Sequence, residues 1–124
     1  MADAVTSQVL FNGEKTIVIK FTNISDGTGE AAVTKVAAAT YGTNVSIRKI
    51  HYSTFGMGVQ ILWDATADVL AWYVPADSDG VVDFERWGGI ANNAGAGVTG
   101  NIQFTTVGHT LNDVYSIVLE MDKT

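Results

Sequence analysis

The sequence predicts an all-β domain, a two-sheet β-sandwich that is jelly-roll-like with about eight strands. Three observations lead there. Val (15), Thr (14) and Ile (9) together make 38 of the 124 residues, and branching at Cβ suits a pleated sheet better than a helix. The 13 Gly are spread along the chain and Pro occurs once, as expected of tight turns between short elements. Between those turns, apolar residues recur at every second position, the period of a half-buried strand. A hydrophobic fraction of 47% is enough to offset the entropy of ordering the chain. At this length residues 1–124 form one domain, able to bury roughly two thirds of its unfolded surface without disulfide staples.

Taken in chain order, Val5 to Phe11 reads as a strand, and Asn12-Gly13 turns it into Thr16 to Phe21, where Ile17, Ile19 and Phe21 share a face. Asn-Gly readily supplies the positive φ of a hairpin turn. Asp26 to Gly29 is a turn cluster, and the Ala-rich run Ala31 to Ala39 is read as a strand. In Val45 to Phe55 strict alternation puts Ile47 on one face and Ile50 and Tyr52 on the other. Either both faces are covered, or a bulge near Arg48-Lys49 shifts the register. Val59, Ile61 and Trp63 form the next inward row, and Asp64 to Asp68 turns the chain into Val69 to Val74, which Pro75 ends because it cannot donate to a ladder. Asp77 to Gly80 leads to the short strand Val81 to Phe84. Gly88 to Gly100 is aperiodic and reads as an extended surface loop. Ile102 to Thr106 and Tyr115 to Met121 alternate again, and Gly108 to Asp113 is expected to join them as a hairpin.

Composition narrows the function. A net charge of -6 without a basic block argues against nucleic acid, because neutralising phosphates needs clustered cations. The start Met1 to Thr6 carries an acid where a secretory signal has a basic region, and no long apolar stretch follows. A soluble protein, neither exported by such a signal nor membrane-bound, is expected. The absence of cysteine removes thiolate nucleophiles, iron–sulfur clusters and cysteine-ligated zinc.

The motifs that could carry chemistry lack their required setting. Gly95-Ala96-Gly97-Val98-Thr99-Gly100 matches the dinucleotide fingerprint in letters, but a strand follows where a helix N-terminus must hold the pyrophosphate. His51 and His109 stand outside any metal-ligand spacing. Gly-x-Ser-x-Gly does not occur, so no nucleophile elbow is available. The acidic turns Asp26 to Glu30 and Asp77 to Asp83 lack the spacing of a calcium loop. No cofactor, no metal and no enzymatic activity are expected. Asn23-Ile24-Ser25 and Asn44-Val45-Ser46 match glycosylation sequons in letters, which without a secretion signal are read as coincidence. Trp63 and Trp72 lie among Val, Ile and Leu and are assigned to the core. Trp87 follows Glu85-Arg86 and opens the Gly-rich loop, so Trp87, Gly88, Gly89, Asn92, Asn93, Gly95 and Gly97 form the candidate interface.

The order of several segments carries a resemblance. Ile61-Leu62-Trp63-Asp64-Ala65-Thr66 comes first, then Asp83-Phe84 with Trp87-Gly88-Gly89-Ile90. Asn92-Asn93-Ala94-Gly95-Ala96-Gly97-Val98-Thr99-Gly100 follows, and Thr105 to Thr110 leads into Tyr115-Ser116-Ile117-Val118-Leu119. In this order and texture the chain resembles small structural proteins encoded in the head modules of tailed bacteriophages, those that decorate or cement capsids. The resemblance runs over most of the chain and is weakest over Ala31 to Tyr41. It implies a virion protein on the outer surface of an icosahedral capsid, made in the host cytoplasm. Its implied partners are the major capsid protein and further copies of itself, and it implies no catalytic residues. The alternative is a carbohydrate- or receptor-binding sandwich, with Trp87 and Tyr41 or Tyr73 stacking on sugar rings and Asn92, Asn93 and Asp77 hydrogen bonding.

Overall fold

The computed structural model describes residues 4–25, 33–37, 45–87, 89, 90, 95, 97, 99–108, 110 and 112–123, without the side chains of 4, 5, 87 and 123. Nine strands are found among them: β1 (Ala4–Asn12), β2 (Thr16–Ile24), β3 (Val33–Val36), β4 (Val45–Phe55), β5 (Gly58–Trp63), β6 (Val69–Val74), β7 (Asp79–Asp83), β8 (Ile102–Val107) and β9 (Val114–Lys123). A single 3₁₀ turn spans Glu85–Trp87. The strands form a five-stranded sheet in the order β1-β2-β9-β4-β7 and a four-stranded sheet in the order β3-β8-β5-β6, and all pairs are antiparallel.

Strands β2 to β9 trace a jelly roll, in which successive strands alternate between the sheets except for the β5–β6 hairpin and the last strand returns beside the first. The expected sandwich is therefore the observed one, and β1 is an addition on its edge. Asn12 and Gly13 do turn the chain into a hairpin: β1 pairs β2 from Ala4↔Ile24 to Asn12↔Ile17, with a bulge at Leu10. The other expected hairpin is corrected. β8 belongs to the four-stranded sheet and β9 to the five-stranded one, so the two do not pair and the chain changes sheet between them. Of the Ala-rich run, Val33–Val36 is a strand, and 31, 32, 38 and 39 lie outside the described residues.

The core lies between the sheets. Ile17, Ile19 and Phe21 of β2, Ile117, Leu119 and Met121 of β9, Val59, Ile61 and Trp63 of β5, and Ile102 and Phe104 of β8 are buried. Phe104 is its aromatic centre, meeting Phe21 edge-on at 5.2 Å and Tyr115 at 5.8 Å. A bulge between Ile47 and Lys49 settles the ambiguity in β4. Arg48 is the extra residue, so Ile47 and Ile50 both turn inward and are fully buried. Trp72 departs from its core assignment. It faces inward on β6, packs edge-on against Phe84 at 5.3 Å, and stays 37% exposed, since among the described residues no strand lies beyond β6.

One polar joint fixes β4 to the turn after β6. Thr54 Oγ1 donates to the Pro75 carbonyl (2.7 Å) and accepts from Ser78 N–H (3.2 Å), while Thr54 N–H donates to the Ser78 carbonyl (2.8 Å). Thr54 is buried, so Thr54→Val keeps the shape but removes the acceptor of the Ser78 N–H and one of the two hydroxyl donors to the Pro75 carbonyl. An expected loss of about 1–3 kcal/mol of stability can be read from the midpoint of urea unfolding.

Candidate functional site

The Gly-rich loop is tied down more closely than its composition suggests. Gly89 N–H donates to the Phe84 carbonyl (2.9 Å), and Ile90 forms a two-way bridge with Ile47 (2.7 and 3.0 Å). Near the other end, Thr99 Oγ1 donates to Asp64 Oδ2 (2.7 Å), Thr99 N–H to the Asp64 carbonyl (3.2 Å), and Asp64 N–H to the Asn101 carbonyl (3.0 Å). Gly97 has φ +77° and lies so near the 64–68 turn that a Cβ would collide with Thr66 Oγ1, a place only glycine fills without strain. Gly95 is exposed, with open space around it. Of the candidate interface, Gly89 is thus placed beside β4 and Gly97 beside the 64–68 turn, while Gly95 is open to solvent. Trp87 lies in the 3₁₀ turn, its side chain outside the described residues, as are Gly88, Asn92 and Asn93.

A second surface was not singled out from the sequence. The four-stranded sheet covers the inner faces of β2, β9, β4 and β7 and leaves β1 without a roof. β1 carries no charge from Ala4 to Asn12, and its Val9, Leu10 and Phe11 are 48%, 50% and 56% exposed. Among the described residues no strand pairs with its far side. Proteins that stay apart in solution blunt such edges with lysine, proline or a covering loop. Among the described residues the only such device is the bulge at Leu10.

The outward face of the five-stranded sheet is banded, and the register shows how. At one end Lys49 lies between Glu120 and Asp83. Arg48 pairs with Glu85 (2.8 Å) and Asp122 (3.5 Å), and Lys49 with Glu85 (3.7 Å) and Asp83 (3.9 Å). His51 Nε2 meets Glu120 Oε2 at 2.5 Å. Arg48 and Lys49 are matched by carboxylates and do not make a basic patch. Further along comes a row of hydroxyls across the strands: Thr6, Thr22, Ser116 and Ser53, ending on Asp79. Beside it lies an apolar row, Ile24, Val114 and Phe55, with Ile24 54% and Phe55 65% exposed. Thr6, Thr22, Ile24, Val114 and Ser116 line a depression of about 490 Å³. Ser53, Phe55, Asp77 and Asp79 line a neighbouring one of about 250 Å³.

No protein-family model matches the chain, and no curated protein sequence matches it. Among solved structures it is similar to a double-stranded β-helix domain protein of Klebsiella pneumoniae, with 6% identity and a TM-score of 0.43 over 96% of this chain and 76% of that one. It is also similar to a cupin domain of Bordetella pertussis, with 8% identity and a TM-score of 0.39 over 98% and 96%. A cupin superfamily protein of Desulfitobacterium hafniense matches with 13% identity and a TM-score of 0.35 over 96% and 80%. The expectation of no enzymatic activity is corrected: the solved structures similar to this chain include cupin-domain proteins, and a β-sandwich fold by itself gives no ground for excluding catalysis. For a metal ion the described residues offer no fit: no three His, Asp or Glu side chains converge, and the core between the sheets is chiefly Ile, Val, Leu, Met and aromatic side chains, with Asn23 buried on the inward face of β2. His51 faces outward from β4, and His109 lies outside the described residues.

Proposed function

We propose that this chain is a structural protein that decorates or cements the outer surface of an icosahedral phage capsid, in contact with the major capsid protein and with copies of itself. The observation that carries the reading is β1, an uncharged nine-residue strand added outside the jelly roll with an open edge and exposed Val9, Leu10 and Phe11. Such an edge suits strand addition, in which main-chain hydrogen bonds give affinity and alternate side chains give specificity. The ordered segments that resemble phage head proteins support the same reading. No helix among the described residues is long and apolar enough to cross a membrane.

The sugar-binding alternative gains no specific support. Phe11 and Phe55 stand at opposite ends of one sheet, Trp72 faces inward on β6, and Tyr73 points outward from the other sheet, so these exposed rings form no common platform.

Purified protein added to capsids that lack it should bind saturably and raise their resistance to heat. No binding at micromolar concentration would sink the reading. Leu10→Lys combined with Phe11→Lys should weaken capsid binding at least tenfold, since it charges the edge, while shifting the melting temperature by only a few degrees because both side chains are already half exposed. Trp87→Ala, the change that tests the loop, should weaken capsid or inter-subunit binding by roughly 2 kcal/mol or more.

A further inference from the structure

The geometry points to the hydroxyl and apolar rows of the five-stranded sheet as a docking groove for an extended partner segment that carries lysine or arginine beside apolar side chains. The inference rests on the assembly reading only for where that segment comes from. Four inter-strand gaps separate β1 from β7, so the groove runs about 19 Å across the sheet. That length matches roughly six residues of extended chain.

The two rows divide the recognition between them. Ile24, Val114 and Phe55 offer adjacent apolar surface on three neighbouring strands, and Phe55 stands out at 65% exposure where an outward strand position would ordinarily be polar. Thr6, Thr22, Ser116 and Ser53 both donate and accept. A chain crossing the strands cannot pair with their already used backbone groups, and hydroxyls supply what it needs.

Charge then selects the partner. At the β7 end, Asp79 closes the hydroxyl row and Asp77 lies on the turn beside Phe55, and both are exposed. Among the described residues no Lys or Arg lies in either row or in the 75–78 turn. Lys20 stands one row away on β2, at the opposite end. The groove is therefore negative at β7 and carries no opposing charge within its rows. It favours a segment whose basic residue sits over Asp77 and Asp79 and whose apolar side chains settle against Phe55 and Val114.

The test is a titration of isotopically labelled protein with a capped lysine–valine hexapeptide, using a glutamate–valine hexapeptide and maltohexaose as controls. The lysine–valine peptide should shift the backbone amides of Ser53, Phe55, Val114 and Ser116 saturably, with affinity at least fivefold above the glutamate–valine peptide. Phe55→Ser, and separately Asp77→Asn with Asp79→Asn, should each weaken it at least fivefold while leaving the far-ultraviolet spectrum unchanged. Equal affinity for the two peptides, shifts confined to β1, no saturable shift, or a response of these amides to maltohexaose alone would each overturn the inference. On capsids the two readings separate. Wild-type binding that Phe55→Ser leaves unaltered overturns the groove and keeps the assembly role. Failure of the wild type to bind overturns the assembly role, and the peptide titration alone then decides the groove.

Discussion

Phe104→Ala is expected to remove about 3–5 kcal/mol of folding stability, against a total of roughly 5–15 kcal/mol for domains of this kind. The phenyl ring is fully buried and joins the two sheets, since it stands on β8 and meets Phe21 of β2 and Tyr115 of β9 edge-on. Its removal takes away the apolar area, both ring contacts and the filling between strands that cannot slide together, because each is hydrogen-bonded to neighbours in its own sheet. Equilibrium unfolding in urea should show a lower midpoint with a similar slope. A loss under 1 kcal/mol would mean that the two sheets close over the gap.

Gly56→Ala should be the next most damaging single change, for a backbone reason. Gly56 joins β4 to β5 with φ +83°, and a Cβ there would collide with the carboxylate of Asp113. The left-handed conformation alone costs an alanine about 1–2 kcal/mol. The collision adds to it, because Asp113 is buried and its Oδ2 accepts from Thr110 N–H (2.7 Å) and Thr110 Oγ1 (2.9 Å). Displacing that carboxylate breaks the turn before β9 and costs about 1–3 kcal/mol more. Gly56 N–H also donates to Asp77 Oδ1 (2.8 Å), so the 56, 77 and 113 turns should loosen together. Thermal melts of Gly56→Ala beside Asp113→Asn check this: the double variant should lose less than the sum of the single changes.

The strands were legible because their residues alternate, as in Ile17, Ile19 and Phe21, and because turn residues such as Asn12-Gly13 and Pro75 have few conformational options. The sequence offered the bulge near Arg48-Lys49 only as one of two alternatives, and the burial of both Ile47 and Ile50 decides for it. The 108–113 segment was read as a hairpin because turn residues report that the chain reverses. They do not report which sheet the next strand joins. Trp72 was given to the core because its neighbours are apolar, and only the strand order makes β6 an edge. The banding of the outer sheet was invisible for a related reason. Thr6, Thr22, Ser116 and Ser53 lie far apart in sequence, and only the register lines them up.

Placing β9 between β2 and β4 also governs how fast the protein folds. Even the nearest pair of the β2–β9 ladder, Ile24 with Val114, lies far apart in sequence, so much of the chain must be gathered before that ladder can start. Closing so long a loop gives up entropy before any contact repays it. The β1–β2 hairpin, whose partners are near in sequence, can form within microseconds, but it has nothing to pack on until β9 arrives. Refolding should therefore proceed on the millisecond-to-second scale of β-sandwiches. During that interval the uncharged edge of β1 is offered to solvent before the sandwich behind it exists, so the yield of refolded protein should fall as its concentration rises.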